Sequence, residues 1–112
     1  MNYYPDKWLI IEINGKTRFH KVFGTWSGGY LEGDSWRFNS GIVGVHRKGG
    51  SITIAGESGS HYIVNDRSYG ATVYGMSVIA NLIRMSEMRD DCTIRVLDEE
   101  EGFLTLEEYV GR

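Results

Sequence analysis

The 112-residue chain has one cysteine, Cys92, and one proline, Pro5. A lone cysteine excludes an internal disulfide framework and a cysteine-built zinc site, and it suits a reducing cytoplasm. No apolar run approaches the roughly 18 residues that would cross a bilayer. Residues 1–7 lack the basic segment and apolar stretch of a signal peptide. These absences predict a cytoplasmic protein with no membrane partner. Glycine is the counterweight, with 15 residues, about twice its usual share of roughly 7%. Gly and Pro together are still too few for a low-complexity chain, and the length suits a single domain over residues 1–112.

A basic excess is missing too. Net charge is −3, whereas binders of duplex nucleic acid are usually basic, because counterion release supplies much of their affinity. No direct duplex binding is expected. The total hides an asymmetry: residues 1–86 carry +3 and residues 87–112 carry −6. The run Asp98-Glu99-Glu100-Glu101 reads either as a solvated loop or as an acidic face that docks on a basic partner or on the +3 body of a second copy.

The fold expectation is α+β: an antiparallel sheet of about five strands built from hairpins, one main amphipathic helix and a short C-terminal helix. Residues 8–13 are β-branched and aromatic and run into Asn14-Gly15, a two-residue hairpin signal that sets Ile13 opposite Lys16 and Leu9 opposite His20. Both faces of this strand are apolar, so it needs cover on both sides. One helix covers only one. The second cover is expected from a long loop or another subunit, hence a homo-oligomer. Residues 42–48 and 51–55 form a second hairpin across Gly49-Gly50, with Val43, Val45, Ile52 and Ile54 on one face. Residues 61–64 supply a third strand. Apolar residues at Met76, Ile79, Leu82, Ile83 and Met85 predict a helix within residues 72–89. Residues 92–97 read as a late strand, and Thr105-Leu106-Glu107-Glu108 has the pattern of a capping box that opens a helix.

Residues 24–41 stand apart. Ten of the fifteen glycines lie between residues 24 and 59, and two of the three tryptophans between 26 and 36. A connection this long without obvious secondary structure is often functional. Trp26, Tyr30 and Trp36 offer flat faces for stacking, and Arg37 offers a planar fork for phosphate or carboxylate. Asp34, Ser35 and Asn39 offer short polar groups for hydrogen bonds. That inventory suits a polar planar ligand such as a nucleotide. The same residues also suit a small aromatic core beneath a glycine-rich loop, with ordinary turn chemistry at Asp34-Ser35 and Asn39-Ser40.

The phrases Gly28-Gly29-Tyr30-Leu31, Gly33-Asp34-Ser35-Trp36-Arg37 and Asn39-Ser40-Gly41-Ile42 resemble short accessory proteins of large tailed bacteriophages, over residues 8–42. The resemblance implies a bacterial host cell and a host-facing, counter-defence role. It supplies no fold, ligand or catalytic residue.

Catalytic motifs are absent. Gly28 to Ser35 has P-loop spacing, but Asp34 stands where the phosphates need a lysine. No Gly-x-Gly-x-x-Gly opens a dinucleotide site. His20, His46 and His61 lack ligand spacing, so no metal and no cofactor are expected. Asp34, Ser35 and His20 come without the Gly-x-Ser-x-Gly elbow. Cys92 follows Asp90 and Asp91, whose charge disfavours a thiolate. The expectation is therefore a non-enzyme that sequesters a small polar ligand, with a nucleotide-derived defence signal as the specific candidate. The alternative is a protein inhibitor of a host enzyme, acting through the aromatic loop and the acidic C-terminal segment.

Overall fold

Trp8, Leu9, Ile10 and Ile11 are all buried. Consecutive side chains of a strand leave opposite faces, so this run needs an apolar cover on each side. The computed structural model, which describes residues 1–28 and 33–111, draws both covers from the same chain. In chain order the strands are β1 (Asn2–Tyr3), β2 (Lys7–Asn14), β3 (Arg18–Trp26), β4 (Ser35–Phe38), β5 (Ile42–Lys48), β6 (Ser51–Gly56), β7 (His61–Asn65) and β8 (Thr93–Val96). Helix α1 (Val73–Glu87) precedes β8, and helix α2 (Glu99–Glu107) follows it.

The strands form two four-stranded sheets, ordered β4-β3-β2-β8 and β1-β7-β6-β5. Only the β1–β7 pair is parallel among the paired strands. Trp8, Ile10 and Val22 pack against Ile42, Val45, Ile52, Ile54, Tyr62 and Val64 of the second sheet. On the other face Leu9, Ile11 and Phe23 pack against Ile79 of α1, with Leu82 and Ile83 around it. The α+β class and both helices stand. The single sheet of about five strands is corrected to two packed sheets with a helix outside one of them. The second cover of β2 is this second sheet, so the two-sided apolar pattern requires no other copy of the chain.

The β5–β6 hairpin has the expected register, Val45 opposite Ile54 and Arg47 opposite Ile52, with Gly49 at φ +61° in its turn. A register shift between Ile42 and Gly44 buries Ile42 and leaves Val43 exposed, so Val43 leaves the face expected for it. The β2–β3 hairpin departs further. Asn14 pairs with Arg18 and Ile13 with Phe19, and neither Asn14 nor Gly15 has a positive φ. Residues 15–17 make the turn, closed by Gly15 N donating to Thr17 O at 3.1 Å. The register differs from the expected one by an odd number of residues, which moves every β3 side chain to the other face relative to β2.

Two further corrections concern helices. Met76 and Met85 are exposed, and α1 packs through Ile79, Leu82 and Ile83. The acidic run is a helix start, not a solvated loop. The Asp98 carboxylate accepts from Glu101 N at 2.8 Å, and Glu99, Glu100 and Glu101 occupy the first turn. Unpaired N–H groups and the positive end of the helix dipole favour acids there. The helix thus ends, rather than begins, at the Thr105-to-Glu108 pattern. Leu106 joins Leu97 in the core between the sheets.

Candidate ligand cleft

Among the described residues of the glycine-aromatic segment, 24–26 and 35–38 are strand. β3 runs to Trp26, and β4 returns antiparallel to it, pairing Thr25 with Trp36 and Gly24 with Arg37. β4 is an edge strand, and its neighbouring side chains part to opposite faces. Trp36 packs on Phe23 and Phe38, with ring centroids 5.8 and 5.5 Å away. Arg37 reaches the second sheet, its guanidinium 4.8 Å above the Tyr3 ring of β1.

The edge opens on a cleft of about 450 Å³. Tyr3, Trp26, Ser35, Trp36 and Arg37 line it, together with Ser27, Gly28 and Gly33. Residues 3–6 make one wall. Trp26 Nε1 donates to Tyr4 O at 3.0 Å, and Ser27 N donates to the Asp6 carboxylate at 2.8 Å. Gly28 lies so close to the Gly33 backbone that a Cβ there would collide with it, and Gly33 has φ +69°. Only glycine meets both requirements.

Arg37 has no ion-pair partner among the described residues, so its charge faces the cleft balanced only by the ring of Tyr3. Trp36 remains 39% exposed.

Of the residues expected to bind, Trp26, Ser35, Trp36 and Arg37 come together here. Asp34 is exposed and does not line the cleft. Asn39 is buried elsewhere: its side-chain oxygen accepts from Val22 N at 2.9 Å, and its own N–H donates to Val22 O at 3.1 Å, continuing the edge of β3 past the end of β4. Tyr30 lies outside the described residues. Tyr3 went unnoticed in the sequence because it belongs to a strand of two residues with no readable alternation.

A second polar cluster also escaped the sequence. The Glu12 carboxylate is 7% exposed and meets His20 Nε2 at 3.2 Å, Arg18 at 3.1 Å, Asn14 Nδ2 at 3.0 Å and Arg95 at 3.5 Å. His20 Nδ1 in turn lies 2.8 Å from the Tyr109 hydroxyl. The Asn14 hydrogen bond holds the Glu12 carboxyl down at about 2, against the opposing effect of burial and with help from His20, Arg95 and Arg18. The cluster joins β2, β3 and β8 to the C-terminal segment, which also bridges Val110 to Val45.

No group of three or more His, Cys, Asp and Glu side chains among the described residues is arranged to hold a metal ion. No described helix is long and apolar enough to cross a membrane. No family model, curated protein or solved structure matches the chain.

Proposed function

We propose that the chain is a non-catalytic binding protein and that the cleft beside β4 encloses a small polar ligand with a planar ring and an anionic group. The observation that carries this reading is the convergence of Tyr3, Trp26 and Trp36 with an Arg37 that lacks a carboxylate partner among the described residues. Its volume of about 450 Å³ lies within the roughly 300–1,000 Å³ of small-molecule sites. Aromatic faces take the ring by stacking, and a guanidinium takes the anion. A nucleotide-derived signal has both parts. Sequestration by enclosure needs no catalytic group, which suits the host-facing, counter-defence role implied by the phage-like segment and a place in the bacterial cytoplasm.

The alternative, an inhibitor of a host protein, is less well supported. Its acidic docking segment is substantially matched from within, by Arg95 on Glu101 at 2.8 Å, Arg47 on Glu107 at 3.6 Å and Arg18 on Glu108 at 3.7 Å.

Calorimetry against cyclic and ADP-ribose-type nucleotides tests the proposal. One of them should bind with Kd below about 10 µM, near −7 kcal/mol, and Arg37→Ala should weaken it at least about tenfold. Absence of binding across that panel overturns the reading.

A further inference from the structure

The edges of the two sheets are finished differently. On the second sheet β5 is closed by the C-terminal segment: Val45 N donates to Tyr109 O at 3.1 Å, and Val45 bridges Val110. β8 ends the other sheet, and β2 is its one paired strand among the described residues. Leu97 N donates to Ile10 O at 3.0 Å, which fixes the phase of that ladder. In an antiparallel pair alternate residues turn their N–H and C=O toward the partner. Leu97, Arg95 and Thr93 therefore bond toward β2. Ile94 and Val96 turn their backbone groups outward, where no hydrogen bond from the described residues reaches them. Beside this edge lies an apolar groove of about 430 Å³, lined by Leu82, Met85 and Met88 at the end of α1 and by Cys92 and Ile94. Met85 and Met88 are exposed. A free ladder beside an apolar groove fits an extended strand with apolar side chains on the α1 side. β8 itself has that chemistry. Ile94 and Val96 lie on the α1 face, and Arg95 takes the opposite face, where it meets Glu12 and Glu101.

We propose that β8 pairs with β8 of a second copy of the chain, antiparallel about a two-fold axis, so that two β4-β3-β2-β8 sheets join into one of eight strands. A two-fold interface sets the same surface against itself, so a self-complementary edge suffices. Outward residues must meet outward residues, which limits the centre of the pairing to Thr93, Ile94 or Arg95. Centring on Arg95 opposes like charges, and centring on Thr93 sets Val96 beside Asp90, outside the strand. Centring on Ile94 sets Ile94 against Ile94, Cys92 against Val96 and Thr93 against Arg95. Both α1 helices then lie on one face of the joined sheet, and the two grooves meet across the axis. An open edge calls for this second copy; β2 does not, because both of its covers lie within the chain. The same register brings Asp98 of each copy toward Asp90 of the other, so association should tighten as salt screens them.

Sedimentation and amide hydrogen exchange on the full chain test the pairing. At about 100 µM the chain should sediment as a dimer, and more completely as salt rises from about 0.05 M to about 0.5 M. Met85→Lys with Met88→Lys, both at exposed positions, should give a folded monomer. Relative to that variant, the Ile94 and Val96 amides of the wild type should exchange at least about tenfold more slowly. The same protection should grow with concentration in the wild type, a readout that needs no variant. A monomer at about 100 µM overturns the second copy as occupant and leaves the edge to a strand of another chain. A dimer indifferent to the two lysines, or one whose Ile94 and Val96 amides gain no protection, has its interface elsewhere and overturns the proposal. A dimer that weakens with salt overturns the register centred on Ile94.

Discussion

Glu12 and His20 face each other across β2 and β3, Oε2 to Nε2 at 3.2 Å, and both are buried. A carboxylate at this depth is stabilising only if its oxygens are well provided for. Here Asn14, Arg18 and Arg95 complete the set, and Tyr109 takes the far side of the imidazole.

The cluster makes stability depend on acid in a defined window. The Glu12 carboxyl lies at about 2 in the folded chain against an ordinary 4.5. On acidification the unfolded chain therefore takes up this proton first. The stabilisation, of the order of 3 kcal/mol, is complete above about pH 4.5 and is lost as pH falls toward 2. Urea unfolding across that range should show the decline. Glu12→Gln should be less stable at pH 7 and should flatten the curve; an unchanged slope in the variant would show that other carboxylates govern acid sensitivity.

Tyr69 holds the junction where β2 and β8 part. Its hydroxyl accepts from Ile10 N at 3.0 Å and donates to Leu97 O at 2.7 Å, and its ring meets Trp8 edge-on at 4.8 Å. Tyr69→Phe keeps the ring but leaves both backbone groups unpaired, which should cost about 1–3 kcal/mol. The midpoint of denaturation should fall with no change in its slope on denaturant.

Gly75 and Gly102 occupy helices where alanine would ordinarily gain up to about 1 kcal/mol. A Cβ at Gly75 would collide with the Thr25 methyl, and one at Gly102 with the Tyr69 ring and hydroxyl. Gly75→Ala and Gly102→Ala should each lower stability by about 1–3 kcal/mol, as overpacking does. A rise in melting temperature in either would show that the neighbouring side chain moves aside freely.

Asn39 and Asp34 separate scaffold from site. Asn39→Ala should destabilise by about 1–3 kcal/mol by orphaning Val22 N, yet leave ligand affinity unchanged below its melting range. Asp34→Ala, at an exposed position, should change stability by no more than about 0.5 kcal/mol. Calorimetry and thermal melts on the same samples check both, and a loss of affinity in Asn39→Ala would return that residue to the site.

Local pattern decided a good deal. The alternation Ile52, Ile54 against Thr53, Ala55 and the glycines at 49 and 50 specify a hairpin whatever surrounds it. Thr72 and the spacing of Ile79, Leu82 and Ile83 specify α1, and of the residues singled out between 24 and 41, Trp26, Ser35, Trp36 and Arg37 line one cleft. What local pattern could not supply is what lies across from each face. Apolar burial is non-directional, so the run Trp8 to Ile11 demanded two covers without naming them. The turn after Asn14 could be closed in more than one register, and packing of the sheets selected the one that sets Glu12 against His20. Tyr109 meets His20 from 89 residues away, and Arg37 reaches the Tyr3–Tyr62 pair from another sheet. No sequence period records such distances. The composition and element types were therefore properties of the chain read in order, while the polar cluster arises where β2, β3, β8 and the C-terminal segment meet, and the Arg37–Tyr3 contact arises where the two sheets meet.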